Sequence, residues 1–394
     1  MQTQAVTARR RTVTYVLVAT MAIACAVVTA CGSSEDGSGG SQAAVPEVRS
    51  GGLPRFDPSQ PAGSKPQLPK QMAFPSPFDA ELFITVSDKV RDSAKARGLG
   101  YLTGVSNGDT AKMVQQIDQF FARGIGGLLL SPMDLEATTP QAEKALAEGI
   151  FVAGVQRSPA HLQISEDQFG LGYTQGKAAA DWIEQNLDGK AEVVYFNEDQ
   201  APSLIPRHKG VLKALKEGGP GIEVVADVQA PLTTEAAANA TNTVLQAHPN
   251  ANVFLGGSGA VDGAYAALDA KGKGNEPDIY LSAIGPARAT LDKIASGKSS
   301  YKAATAEPWP IWGWAIGQFA ADWLEGKSVP MGMSTADGGE LVLDTPAKVR
   351  RFQAEMDDAE GTWNDEAKRR KYVSLWGNIN YDTRDKYLKH IWRP

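Results

Sequence analysis

Apolar positions along this chain change their spacing several times, and each change marks a different kind of segment. Residues 12–30 form an apolar run without a single charge, preceded by Arg9, Arg10 and Arg11. Residues 32–70 are rich in Gly, Ser, Pro and Gln and poor in large apolar side chains. Such a composition cannot bury enough surface to order itself and predicts a tether. Phe83, Val86, Val90 and Ala94 then keep helical spacing, with Gly98 placed to stop the helix. Asp109 is placed to cap a second helix, striped by Met113, Ile117, Phe120 and Phe121 and ended by Gly124.

Short apolar runs bounded by breakers follow, at Ile125 to Leu130 and Ile150 to Val155, with a helical segment from Glu136 to Glu148 between them. The alternation resumes after Asp167, with strands expected near Val193–Phe196, Glu223–Val228, Asn252–Leu255 and Tyr280–Ile284. Strands alternating with helices of this length imply right-handed parallel crossovers, hence α/β sheets wound on both faces. Two such runs in tandem predict two similar lobes. After about Thr345 the character changes again. Ala347 to Tyr372 is charged and helical, and Trp363, Trp376 and Trp392 punctuate the tail. The tail reads as an appendage packed on the body, with a partner-facing role as the second reading.

The first apolar run has the layout of an export signal: a basic end, an apolar centre and small residues at the cut. It ends in Val28-Thr29-Ala30-Cys31 followed by Gly32, which resembles the lipobox of bacterial lipoproteins. That resemblance implies a diacylglycerol on the Cys31 thiol, with Cys31 as the first residue of the mature protein. An uncleaved membrane anchor is the alternative, because the run is long enough to span a bilayer. The arginine cluster leaves both the general and the twin-arginine export routes open. Either way, cytoplasmic functions leave the picture.

Composition narrows the chemistry further. At 394 residues, with 42% hydrophobic and 21% charged, the chain is long enough for two lobes and a sizeable core. A net charge of −6 and the lack of a Lys/Arg block argue against a nucleic-acid surface. Cys25 and Cys31 both belong to the signal, so the mature body is expected to hold neither a disulfide nor a thiolate metal site. His161, His208, His248 and His390 are scattered without metal-ligand spacing and read as surface or cap residues.

Ligands of open parallel sheets bind beyond the carboxyl ends of the strands. Those ends carry Ser131-Pro132-Met133-Asp134, Gln156-Arg157, Asn197-Glu198, Gly256-Gly257-Ser258 and Ile284-Gly285. These are mostly neutral polar groups or single charges, suited to a neutral or weakly acidic molecule held between two lobes. Catalytic patterns fare worse. The segment around Ser258 lacks the final glycine of a nucleophile elbow and has no histidine placed by motif, so a ligand contact or helix cap is the better reading. Gly170, Gly172 and Gly176 miss the dinucleotide spacing and open a helix without a preceding apolar strand.

These segments, in this order, resemble the type I periplasmic sugar-binding proteins of ABC importers. The resemblance is carried by residues 78–83, 109–121, 124–134, 149–158, 167–170 and 207–210, and it spans Met72 to Leu343. It implies two α/β lobes joined by three crossing strands, near Asp167, near Glu307 and after about Thr335. The first lobe would comprise 72–166 and 307–335, the second 167–306 and 336–344. Residues 1–30 would be the signal peptide, 31–70 the tether, and 345–394 a C-terminal helical extension. Ligand contacts made by both lobes exist only when they close, so binding shifts an open–closed equilibrium.

Carried over by position, Ser76, Phe78 and Phe83 fall where the family's first-lobe polar and aromatic contacts sit. Gln156-Arg157 takes the place of an Asp-Arg pair, and Arg207 that of a second arginine. Glu307 stands where an amide is usual, and Trp309, with Trp312 and Trp314, is placed to form an aromatic wall. Phe83 fits the helix stripe equally well as core, and the two arginines fit structural ion pairs. Three departures stand out: Gln156 replaces an Asp, Gly257-Ser258 an Asn-Asp, and Ile284 an Asp. Losing these acceptors points to a ligand less hydroxylated than a hexose, or to a carboxylate bound by the arginines.

The expectation is a monomeric, lipid-anchored solute-binding component that delivers a small ligand to an ABC permease and its ATPase. A sugar or polyol leads, and a sugar acid or other carboxylated ligand comes second. No chemistry, cofactor, metal or nucleic acid is expected. A sensory lipoprotein presenting ligand to a membrane receptor is an alternative, as is a surface-anchored α/β hydrolase.

Overall fold

The first strand is a short apolar segment that alternation alone does not reveal. β1 (Gln71–Ser76) contains Pro75, which cannot donate to a ladder. The strand tolerates it because pairing with the next strand inward involves only Met72 and Ala73, leaving Pro75 beyond that ladder. This computed structural model describes residues 52–155, 158–231, 233–336 and 341–386. Cys31 and its apolar run lie outside the described residues, as do Gln156, Arg157, His390 and Trp392.

Helix α1 (Glu81–Ala96) buries Val86, Val90 and Ala94 of the expected stripe, plus Ser93, while Phe83 is only partly buried. β2 (Gly100–Val105) follows, then α2 (Thr110–Arg123), where the Asp109 carboxylate accepts from the Lys112 N–H at 2.9 Å. Met113, Ile117 and Phe120 are its buried face, and Gly124, at φ 78°, turns the chain out of it. β3 (Gly127–Leu130), α3 (Leu135–Ala147), β4 (Phe151–Val155) and β5 (Leu162–Ser165) continue the winding. β3 and β4 are buried along their whole length, as strands covered on both faces must be.

The chain then enters a second sheet through α4 (Gln168–Asn186), β6 (Ala191–Asn197), α5 (Ile205–Glu217) and β7 (Ile222–Gln229). It continues with α6 (Thr234–Ala247), β8 (Val253–Gly257), α7 (Ser258–Asp269), β9 (Tyr280–Ile284), α8 (Arg288–Ser296) and β10 (Tyr301–Thr305). α9 (Trp309–Leu324) returns to pack on α1, and β11 (Gly332–Thr335) joins β5 in the first sheet. β12 (Val342–Leu343) then pairs antiparallel with β10 in the second. The sheet orders are β13-β11-β5-β4-β3-β1-β2 and β12-β10-β9-β8-β6-β7. These are two wound α/β lobes, the fold class expected. The chain passes between the sheets after β5, after β10 and after β11.

The tail makes one more passage. α10 (Pro346–Asp357) packs on α8 of the second lobe, and α11 (Ala359–Asn364) on α9 of the first. After α12 (Glu366–Tyr372) comes β13 (Val373–Trp376), an antiparallel edge strand on β11. The tail is therefore not helical throughout: β-branched Val373 opens a strand, and Trp376 lies in it.

Residues 52–70, expected as part of a tether, are packed on the body. The Phe56 N–H donates to the Leu375 carbonyl at 2.9 Å, Arg55 bridges Trp376, and the Gly63 N–H donates to Gly326 at 2.7 Å. Average composition hides the few apolar side chains here, Leu53, Phe56 and Leu68, that pack against the core. His161 departs from expectation too. It is 1% exposed, stacked on Phe151 and tilted against Trp323, and its Nδ1 accepts from the Val152 N–H at 3.1 Å.

Candidate functional site

The carboxyl ends of the second sheet, the end of β5 and helix α1 line a cavity of about 650 Å³ between the lobes, within the roughly 300–1,000 Å³ range of small-molecule sites. The expected strand-end residues Ser131 to Asp134 do not reach it. From the first lobe, Glu81, Thr85 and Lys89 reach it as one stripe of α1 at i, i+4 and i+8 spacing, with Leu82 beside them. The second lobe supplies Glu198, Arg207, Ser258 and Arg288, the passages between lobes Glu166, Glu307 and Trp309, and α10 the remaining side.

Arg207 is the centre of the hinge-side end. Its Nε donates to Gln168 Oε1 at 2.8 Å, Nη1 to Glu198 Oε2 at 3.1 Å and Nη2 to Glu307 Oε1 at 3.4 Å. Glu307 in turn accepts from the Trp309 indole N–H at 3.2 Å. Arg207 and Glu307 are nine-tenths buried, so the guanidinium is balanced where water does not screen it. Glu166 Oε2 accepts from Gln168 at 3.2 Å, while Oε1 is buried without a bonded partner among the described residues. Burial, and then the neighbouring Glu307, push the Glu166 carboxyl well above the usual carboxylate range. The protonated acid is therefore favoured, and its hydroxyl is placed to donate toward Glu307.

Close helix packing sets Arg207 in place. α4 and α5 meet at glycines: a Cβ on Gly172 would lie 1.9 Å from the Arg207 carbonyl oxygen, and one on Gly210 2.2 Å from that of Phe169. The glycines that fail as a nucleotide motif are therefore a helix–helix contact.

Ser258 opens α7 and its hydroxyl donates to Asp262 at 3.1 Å. Asp262 also accepts from Thr290 and from Tyr301, each at 2.7 Å. No histidine among the described residues partners Ser258. His208 lies between Asp199 and Asp227, His248 ends α6, and His161 is in the first-lobe core.

Of the expected contacts, Arg207, Ser258, Glu307 and Trp309 line the cavity, while Ser76, Phe78 and Phe83 do not. The Ser76 hydroxyl is spent on the Phe78 carbonyl at 2.9 Å, and Phe83 packs partly buried against the core. Phe78 leans on Phe83 at 6.0 Å instead of facing the cavity. Trp312 is fully buried core, and Trp314 is buried. Sequence reasoning did not single out Glu166 or Asp262 as site residues, and it gave α10 no place in the site. An acid beside the first passage and the polar i, i+4, i+8 stripe of α1 were the available signals; nothing local marks α10.

Two wound lobes enclosing a small-molecule cavity at their strand ends define a two-lobed binding protein. A periplasmic binding protein domain matches residues 73–328, and the chain belongs to that family. Its members bind solutes and are not enzymes. The chain is similar to the ribose import binding protein of Bacillus subtilis (strain 168), at 25% identity over 264 residues covering 64% of this chain and 81% of that protein. It shares its fold with an ABC transporter solute binding protein from Mycobacterium smegmatis bound to glycerol. There the TM-score is 0.60 at 22% identity, covering 76% of this chain and 97% of that one. A solute binding protein from Bacillus halodurans C-125 bound to myo-inositol gives a TM-score of 0.62 at 17% identity, covering 74% and 99%.

Proposed function

We propose that this protein captures a neutral sugar or polyol between its lobes and delivers it to an ABC permease and its ATPase, acting as a monomer held to the membrane by a lipid on Cys31. The observation that carries the ligand class is the bonding of Arg207. Three of its five N–H groups are bonded to Gln168, Glu198 and Glu307, and the two carboxylates already balance its charge, which disfavours a further anion at that arginine. Carboxylates beside it accept from hydroxyls, and sugars supply hydroxyl donors. The carboxylated ligand stays in second place. The names of the similar proteins, which concern ribose, glycerol and myo-inositol, agree with a polyhydroxylated ligand.

The test is a thermal-shift screen of the full chain in detergent against sugars, polyols and sugar acids. A neutral ligand at about a thousand times its Kd adds roughly 4 kcal/mol of stability and raises Tm. A response confined to sugar acids would reverse the ligand order. For the anchor, Cys31→Ala is expected to move the protein from the membrane to the soluble fraction and to abolish incorporation of labelled fatty acid. Unchanged labelling would sink lipidation at Cys31.

A further inference from the structure

The tail beyond Thr345 forms part of the cavity. Phe352, Gln353, Met356 and Asp357 line it from α10, at the i, i+1, i+4, i+5 spacing of a single helix face. That face is held rigidly from behind. Phe352 meets Tyr372 edge-on at 6.0 Å, and the Tyr372 hydroxyl and Lys371 both bond to buried Glu355. Gln353 is fixed from the second lobe: its Nε2 donates to Asp292 at 2.7 Å. Side chains locked in this way are preorganised to read a ligand.

The two ends of the cavity differ. The end near the passages between the lobes holds Glu166, Glu198, Arg207 and Glu307, whereas the α10 end sets the apolar side chains of Phe352, Met356 and Leu291 beside Gln353 and the Arg288–Asp357 pair. A volume of about 650 Å³ exceeds what a lone sugar ring fills. We propose that α10 is a third wall of the binding site, and that Gln353 and Met356 read a less polar substituent carried by the sugar or polyol at the end away from Glu307. The inference rests on the solute-binding reading above. It adds that the ligand is a substituted sugar, and that the tail determines which one is taken.

The experiment measures Kd by calorimetry for the full chain in detergent, with glucose, galactose and ribose each paired with its methyl and phenyl glycoside. At least one glycoside is expected to bind about tenfold more tightly than its free sugar, a gain of about 1.4 kcal/mol. Gln353→Ala and Met356→Ser should each cut that ratio at least about threefold, and Met356→Leu, which keeps the volume, should preserve most of it. If Met356→Ser fails to fold, the half-buried Gln353→Ala and the Leu variant carry the comparison. Equal affinity within every pair, or a ratio unmoved by both variants, would overturn the third wall and leave sugar binding intact. Silence across the whole panel would overturn the substituted-sugar inference, and silence also toward glycerol and myo-inositol would overturn the solute reading with it.

Discussion

Glu166 and His161 show how burial moves a proton in opposite directions. The Glu166 carboxyl has its pKa raised in the folded state, by burial and then by Glu307. The folded protein thus binds more protons than the unfolded chain above about pH 4.5, and stability falls as pH rises through that window. A tenfold change in proton affinity corresponds to about 1.4 kcal/mol, which folding loses once the group is forced to ionise. Glu166→Gln copies the protonated shape, so it is expected to be the more stable protein at pH 8 and to show a flatter profile from pH 5 to 8 in urea denaturation. A wild-type profile as flat as the variant's would refute a raised Glu166 pKa. His161 is pushed down to about 3 by burial, with a smaller contribution from Arg384. The unfolded chain then binds more protons between pH 6.5 and 3, so stability is lost as pH falls across that interval, by up to ~1.4 kcal/mol per pH unit. His161→Phe should remove most of this slope. Nothing local in the sequence distinguishes His161: a lone His beside Leu162 reads as surface, and only the ring contacts with Phe151 and Trp323 make it core.

At the scale of elements, α2 and α3 were legible because capping and spacing are local: the Asp109 cap and the Met113, Ile117 and Phe120 part of the expected stripe stand, with Phe121 only partly buried. β1 and β2 were not, because Pro75, Gly100 and Gly104 break the run of strand-formers without breaking the strands. The glycines of α4 stand out in the sequence, but their reason lies on another helix. Gly172 faces the backbone of α5, whereas Gly259 in α7 has open space where a Cβ would stand. In an open helix Gly→Ala gains up to about 1 kcal/mol. Gly259→Ala is therefore expected to be neutral or stabilising. Gly172→Ala must separate α4 from α5 and should cost about 1–3 kcal/mol, as overpacking does. Because the displaced backbone is that of Arg207, the same variant should also weaken ligand binding. Equal melting temperatures for the two variants would show that the close contact is not what fixes the arginine.

Across both lobes, the contacts that matter most link residues far apart in sequence, which is why no spacing announced them. At the mouth of the cavity, the Glu81 carboxylate of α1 accepts from the Arg288 N–H at 2.8 Å. The Arg288 guanidinium bridges Asp357 of α10 at 2.6 Å, and Lys89 of α1 donates to the Asp357 carbonyl at 3.0 Å. First lobe, second lobe and tail are thus clasped at a single point. Arg288 and Asp357 are each more than half exposed, and an exposed pair contributes only about 0–1 kcal/mol. That is little against the stability of a domain, but a hinge equilibrium is sensitive at this scale, since about 1.4 kcal/mol changes a population ratio tenfold. Lys89→Ala combined with Arg288→Ala is therefore expected to leave Tm nearly unchanged while weakening ligand affinity about three- to tenfold, because the lobe-closed state loses its clasp. The backbone N–H that Glu81 takes survives both substitutions, so the loss should be partial. Salt supplies the independent check. Screening at 1 M reduces the Debye length to about 3 Å, so wild-type affinity should fall with salt toward that of the double variant, whose own affinity should barely move. Equal salt dependence in the two proteins would show that the clasp does not bias closure.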